Sequence, residues 1–139
     1  MRLRIPNRLE DVFHALDRAE GTLDRAEVDA ACRADVRLVL EELLVNTVRH
    51  GYPDGREGNI DIHLEVKADV VHLELRDDAM PFDPLQHDPP YLPGDIARRD
   101  IGGLGLHLAR SIASDFHYAR DAHGNRVVIR FDPSDEPAT

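Results

Sequence analysis

The chain has 139 residues and a mass of 15.6 kDa, which is the size of one compact domain. Seventeen Lys and Arg against 27 Asp and Glu leave a formal charge of −10, which argues against nucleic acid or a membrane surface as the main partner. Cys32 is the single cysteine, so no internal disulfide can form and we expect a buried thiol. The sequence has no signal peptide and no apolar run long enough to span a bilayer, so we expect a cytoplasmic protein.

The N-terminal region is predicted to form a strand and a helix. Polar and apolar residues alternate over residues 2–5, which favours an edge strand. Helical spacing of apolar residues follows from Asn7, a possible cap, and Gly21 is expected to end this helix. Residues 22–31 are expected to be a linker.

A second helix and a hairpin come next. Residues 33–50 are apolar on almost every side, which predicts a mostly buried helix closed by Gly51. Strict alternation over residues 59–66 and 71–75 then predicts two strands joined by a tight turn at Ala68 and Asp69.

The C-terminal half begins with a proline-rich stretch without periodicity. Residues 81–101 are predicted to be a long loop, which in a compact domain is usually functional or disordered. A helix over residues 104–113 and strands over residues 116–120 and 127–131, with a turn at residues 123–125, complete the chain.

The order of these elements predicts the α+β class. Helices separated from the strands suggest a two-layer sandwich in which a mixed, mainly antiparallel sheet is covered by helices on one face. We expect a single domain over residues 1–133 and a disordered tail over residues 134–139.

Two polar residues interrupt the buried helix. Glu42 and Asn46 are four residues apart and so project from one face, about 40° from each other. One interpretation is structural, with Glu42 paired to Arg49 or Arg110 and Asn46 bonded to nearby backbone. The other is functional, with Asn46 giving an oxygen to a divalent cation and Glu42 acting as a base one turn away.

Two further motifs lie in the second half. Residues 77–84 read DDAMPFDP at the end of a predicted strand, where the Asp77 carboxylate can accept a hydrogen bond from an exocyclic amine; the alternative is a simple turn. Gly102, Gly103 and Gly105 open the next helix, where backbone N–H groups can meet an anion, although glycines also serve packing there.

Together the three motifs resemble the Bergerat-type ATP-binding fold shared by DNA gyrase, a heat-shock chaperone, histidine kinases and MutL. Within it, the chain is most similar to the short RsbW-like anti-sigma factor serine kinases. The resemblance covers residues 5–131 and rests on ELLVN at residues 42–46 with HGY at residues 50–52, on residues 77–84, and on residues 102–108.

The resemblance implies a role for each matching residue. Asn46 would bind Mg²⁺ at the ATP phosphates, Glu42 would be the general base, and Asp77 would accept from the adenine amino group. Residues 85–101 would form the ATP lid. The walls of the purine site would be Ala79, Pro81 and Phe82. The groups that meet phosphate would be Arg98, Arg99, Gly102, Gly103, Leu104 and Gly105. Ala79 departs from the usual D-x-G motif, and its methyl group would lie beside the ring.

The resemblance also implies an activity and partners. The expected function is Mg²⁺-dependent phosphorylation of a serine or threonine on a small anti-sigma-factor antagonist, with binding of a sigma factor or similar regulator. One alternative is an ATP-gated binding module without phosphoryl transfer, and another is a structural domain without nucleotide. A homodimer is expected, and the face around Val12, Phe13 and Leu16 beside the edge strand is a candidate interface.

Overall fold

The computed structural model describes residues 1–81 and 109–134. The main elements are β1 (Arg2–Pro6), α1 (Leu9–Arg25), α2 (Ala30–His50), β2 (Asn59–Lys67), β3 (Val70–Asp77), β4 (Asp115–Asp121) and β5 (Gly124–Phe131). Residues 109–112 are also helical, and the first half of the helix predicted over residues 104–113 lies outside the described residues. Across the described ranges, no helix has the length and apolar character needed to cross a membrane.

The five strands form one sheet in the order β1-β2-β3-β5-β4, and every pairing is antiparallel. Alternate residues of each strand point toward the helices, because side chains of a strand point to opposite faces. The core contains Leu40 and Leu44 from α2 together with Ile62, Leu73 and Ile129 from the sheet. The predicted α+β class is confirmed.

Helix α1 is longer than predicted, and the prediction that Gly21 ends it is wrong. A glycine inside a helix costs about 1 kcal/mol relative to alanine, whereas burying a leucine contributes about 2 kcal/mol. Leu23 lies two residues beyond Gly21 and is 1% exposed. Its burial therefore keeps the chain helical past the glycine. The predicted linker over residues 22–31 therefore shrinks to residues 26–29.

Asn7 does not cap α1, because the N-cap is Arg8, without a side-chain cap hydrogen bond. The Asn7 amide instead donates to the Arg56 carbonyl (3.2 Å), and its oxygen accepts from the Gly58 N–H (3.0 Å). Asn7 thus ties the start of α1 to the loop before β2.

The candidate dimer face is only partly available. Val12 and Leu16 are fully buried in the core, so the prediction that they contribute to an interface is wrong. Phe13 on the same helix is 51% exposed, and Leu9, the first residue of α1, is 38% exposed.

Both predicted hairpins form. Ala68 (φ 51°) and Asp69 (φ 67°) have left-handed backbone, as a two-residue turn between right-twisted strands requires. The second turn is shifted from its predicted place, since Gly124 and Asn125 already pair with Asp121 and Arg120 of β4. Asn125 lies in phase with the buried Val127, so it belongs to the inner face of β5.

Candidate functional site

A pocket lies where the C-terminal half of α2 meets the end of β3 and the start of β5. The C-terminal half of α2 and its C-cap, Gly51, form one wall, and the sheet with Ala79 just beyond β3 forms the other. The residues that line the pocket are Leu43, Asn46, Thr47, Gly51, Leu75, Asp77, Ala79, Asn125 and Val127. The apolar members suit a flat ring, and the polar ones are placed to orient it.

Sheet register explains why distant residues meet here. Asp77, the last residue of β3, pairs with Asn125 near the start of β5. Asn46 lines the same pocket because it lies on the buried face of α2, where it is 6% exposed. The structure therefore brings Asn46, Asp77 and Ala79 to one pocket, as the sequence motifs suggested.

Asp77 is anchored through one carboxylate oxygen. Its Oδ1 accepts from the Asn125 side-chain amide (2.9 Å) and from the Ala79 N–H (3.0 Å). No described residue donates to Oδ2, so that oxygen can accept a hydrogen bond from a ligand. Burial raises the pKa of Asp77, and the hydrogen bonds from Asn125 and Ala79 only partly offset that increase.

Asn125 is a buried polar residue of the pocket that the sequence motifs did not indicate. It is 5% exposed, and its amide donates to Asp77 and to the Met80 carbonyl (2.8 Å). Its oxygen accepts from the Tyr118 hydroxyl (2.5 Å) and from Arg120 Nη1 (3.0 Å). The signal was present in the sequence, because Asn125 continues the alternation of the apolar residues of β5.

The hydrogen bonds of Asn46 agree in part with each of the two interpretations made from the sequence. Its Nδ2 donates to the Glu42 carbonyl (2.7 Å), so the amide nitrogen is bonded to backbone one turn earlier in α2. Its Oδ1 receives no hydrogen bond from a described residue. Glu42 itself is half-buried on the same helix.

The fit of a magnesium ion depends on that amide oxygen. Mg²⁺ prefers oxygen ligands and keeps several waters, so one amide oxygen together with phosphate oxygens is a sufficient set of ligands. A buried amide with one bonded end and an oxygen left in a pocket fits this requirement. Among the described residues there is no group of three or more His, Cys, Asp or Glu suited to a metal ion.

Ala79 is accommodated without backbone strain. It is 3% exposed, and it is not among the described residues with a positive φ. A Cβ atom placed on Gly51 would lie 2.6 Å from the Ala79 Cβ atom. The methyl group of Ala79 therefore occupies space that Gly51 leaves open.

A second cluster fixes the segment that carries Asp77. The Tyr52 hydroxyl (2.7 Å) and the Asn59 N–H (3.1 Å) both donate to Asp78 Oδ1. Arg56 donates to the Asp78 carbonyl and lies over the Tyr52 ring, 4.9 Å from its centroid. Burial alone would raise the pKa of Asp78, but these hydrogen bonds lower it, so Asp78 is an ionised anchor for the loop.

Of the remaining residues proposed from the sequence, Pro81 is the one that the structure describes. Pro81 is exposed and does not line the pocket formed by the described residues. The remaining ones lie outside the described ranges: Phe82, Arg98, Arg99, Gly102, Gly103, Leu104 and Gly105, with the whole predicted lid over residues 85–101.

The chain is similar to known proteins over most of its length. The chain is 26% identical to the serine-protein kinase RsbW of Listeria innocua over 133 residues, which cover 93% of this chain and 85% of that one. It is also 26% identical to the serine-protein kinase RsbW of Oceanobacillus iheyensis over 117 residues, which cover 81% of this chain and 74% of the relative.

Two solved structures share the fold. One is a Mycobacterium tuberculosis protein with RsbU and RsbW domains: TM-score 0.64, 15% identity, covering 94% of this chain and 32% of that chain. The other is the histidine kinase domain of a blue-light activated histidine kinase from Erythrobacter litoralis, with a TM-score of 0.54, 15% identity and coverage of 86% and 60%. The family described as the histidine kinase-like ATPase domain matches residues 5–131. With nearly its whole length matched and the pocket residues in place, the chain belongs to this family, as an RsbW-like Bergerat ATPase domain.

Proposed function

We propose that this chain binds ATP in the pocket described above and is a serine/threonine protein kinase of the anti-sigma-factor type. The observation that carries the proposal is the Asp77 carboxylate, which is held through Oδ1 and keeps Oδ2 for a base amino group. The family match over residues 5–131 and the relatives named serine-protein kinase RsbW support the same conclusion.

The adenine base would lie between α2 and the sheet. Leu43, Leu75 and Val127 offer apolar contacts, and Asp77 accepts from the exocyclic amine. Asn46 would supply an oxygen ligand to Mg²⁺, which when bound neutralises phosphate charge. The expected phosphate contacts of Gly103, Gly105 and the lid arginines remain part of this proposal.

Phosphoryl transfer requires positioning and a proton acceptor more than covalent chemistry by the protein. In the proposed step, a serine or threonine hydroxyl of a small antagonist protein attacks the γ-phosphorus of ATP. The bond from γ-phosphorus to the β–γ bridging oxygen breaks, ADP leaves, and the hydroxyl proton passes to the Glu42 carboxylate. Glu42 lies one helical turn before Asn46, on the helix that walls the pocket.

The proposed partners are the antagonist substrate and a sigma factor or similar regulator, with a homodimer as the assembly and the cytoplasm as the location. Phosphorylation of the antagonist would change which partner the kinase holds. The support for these partners comes from the RsbW relatives, and Phe13 is the exposed residue that remains of the candidate interface.

Labelling with γ-³²P-ATP tests the activity. Wild type, Glu42→Ala and Asp77→Asn would each be incubated with Mg²⁺ and a candidate antagonist protein encoded nearby. We expect serine or threonine labelling with wild type and a loss of at least 100-fold with Glu42→Ala, since a positioned general base contributes about 10²–10⁴ in rate. Strong labelling by Glu42→Ala would remove Glu42 as the base.

An ATP-gated binding module is the second candidate function. The observation that favours it is that the residues lining the described pocket suit the binding of a base, which a module needs as much as a kinase does. A module would bind its partner in a nucleotide-dependent way without any labelling of that partner, so the same experiment separates the two.

A further inference from the structure

The amide of Asn125 uses all of its hydrogen-bonding capacity. A primary amide has two N–H donors and an oxygen with two lone pairs. Here the donors meet Asp77 Oδ1 and the Met80 carbonyl, and the oxygen receives Tyr118 and Arg120. With 5% exposure, Asn125 has almost no access to water that could replace these partners.

The partners of Asn125 also fix which way the amide faces. Tyr118 and Arg120 both come from β4, and both donate to the amide oxygen at 2.5 Å and 3.0 Å. A flipped amide would point its N–H groups at Arg120 and its oxygen at the Asp77 carboxylate, which would set donor against donor and acceptor against acceptor. Arg120 also donates to the Ala79 carbonyl (3.2 Å), so β4 holds the Asp77–Ala79 segment at two points.

We propose that Asn125 is a positioning residue: oriented by Tyr118 and Arg120, it holds the Asp77 carboxylate turned so that Oδ2 faces the amino group of a bound base. The inference rests on the proposed nucleotide binding. It names the residues that orient the carboxylate which accepts from the base. Edge strand β4, which does not line the pocket, then determines how well the pocket distinguishes an adenine nucleotide from one without an exocyclic amine.

The pH dependence of binding follows from the charges around Asp77. Among the described residues, Asp78 raises the pKa of Asp77 and Arg120 lowers it, while Tyr52 nearby stays neutral because burial raises its own pKa. Base binding requires the ionised carboxylate, so affinity is lost as pH falls through the pKa of Asp77. Removing the Asn125 donor raises that pKa, and the loss of affinity then begins at a higher pH.

The test compares ADP with inosine diphosphate, which carries a carbonyl in place of the exocyclic amine. Titration calorimetry from pH 5 to pH 9 would be run on wild type, Asn125→Ala, Tyr118→Phe and Val128→Ala, the last a control on the outer face of β5. For Asn125→Ala we expect the acid limb of ADP binding to move up by about one pH unit or more. We also expect its preference for ADP over inosine diphosphate to fall at least tenfold.

Tyr118→Phe keeps the proposal falsifiable if Asn125→Ala fails to fold. It removes one donor to the amide oxygen and should shift the acid limb in the same direction by a smaller amount, while Val128→Ala should leave it in place. An unchanged pH profile and unchanged base preference in both variants would overturn the inference. Wild type that binds neither nucleotide would instead overturn the proposed function.

Discussion

Gly51 and Ala79 share a space that holds one methyl group. A Cβ atom on Gly51 would lie 2.6 Å from the Ala79 Cβ atom and 2.6 Å from the Thr47 carbonyl oxygen. Both distances are far shorter than a normal contact, so one of the groups would have to move. The departure from D-x-G at Ala79 is thus matched by a glycine at the end of α2.

Gly51→Ala should destabilise the protein by about 1–3 kcal/mol, the usual cost of overpacking. In an Ala79→Gly background the cost should be smaller, because one of the two close contacts is gone. Urea denaturation of the two single variants and the double variant measures the coupling, which we expect to be at least about 0.5 kcal/mol. Strictly additive costs would contradict the shared-space explanation.

At the scale of elements, the outer face of the sheet contains a carboxylate held by two arginines. Glu74 accepts from Arg76 (2.7 Å) on its own strand and from Arg126 (3.0 Å) on β5. The hydrogen bond from Arg126 is the largest cause that lowers the pKa of Glu74 to about 2, against the opposing effect of burial.

Glu74→Gln should lower the free energy of unfolding by about 1–2 kcal/mol at pH 7, since the Glu74 side chain is only partly exposed. A carboxyl whose pKa is depressed on folding stabilises the fold above its unfolded pKa, and the contribution is lost as pH falls toward 2. The difference from wild type should therefore shrink between pH 5 and pH 2. Glu57→Gln, at a 93% exposed side chain, is the matched control and should show no such trend.

The turn between β2 and β3 offers a stability gain. Both central residues have left-handed φ, a conformation that costs non-glycine residues about 1–2 kcal/mol. Replacing Ala68 and Asp69 by Asn-Gly, the preferred pair for this turn, should stabilise the protein by about 1 kcal/mol.

Gly55→Ala should instead destabilise the protein. Gly55 has φ +76° and open space around it, so only backbone strain should act. Equal melting temperatures for the variants and wild type would argue against these backbone assignments.

Periodicity in the sequence was sufficient to predict β2, β3 and their turn. The alternation of a strand depends only on which of its faces is buried and requires no knowledge of long-range contacts. Periodicity failed at Gly21, where tertiary burial of Leu23 outweighed a local helix breaker. The alternation of β5 extends to Asn125, but a His-Gly-Asn triplet is typical of a turn and the register with Asp77 depends on long-range pairing, so the sequence did not identify Asn125 as a pocket residue. Asp77, Ala79 and Asn46 line one pocket, and the sequence could indicate them because each belongs to a local motif.

For the whole molecule, nucleotide binding should appear as added stability. A ligand that binds only the folded state stabilises it by about 2.7 kcal/mol at about 100 times its Kd, which raises Tm by several degrees. We expect this shift with Mg-ATP for wild type and its loss for Asp77→Asn. Differential scanning fluorimetry with and without Mg-ATP is the measurement, and an unmoved wild-type curve would favour a domain that takes no nucleotide.

The turn at Ala68 and Asp69 lies at the opposite end of β3 from Asp77. At a rise of about 3.3 Å per residue, the seven steps from Val70 to Asp77 correspond to roughly 23 Å. A fluorophore or a short epitope spliced into this turn is therefore remote from the pocket. The turn offers a place to tether or report on the protein while its ligand chemistry is left untouched.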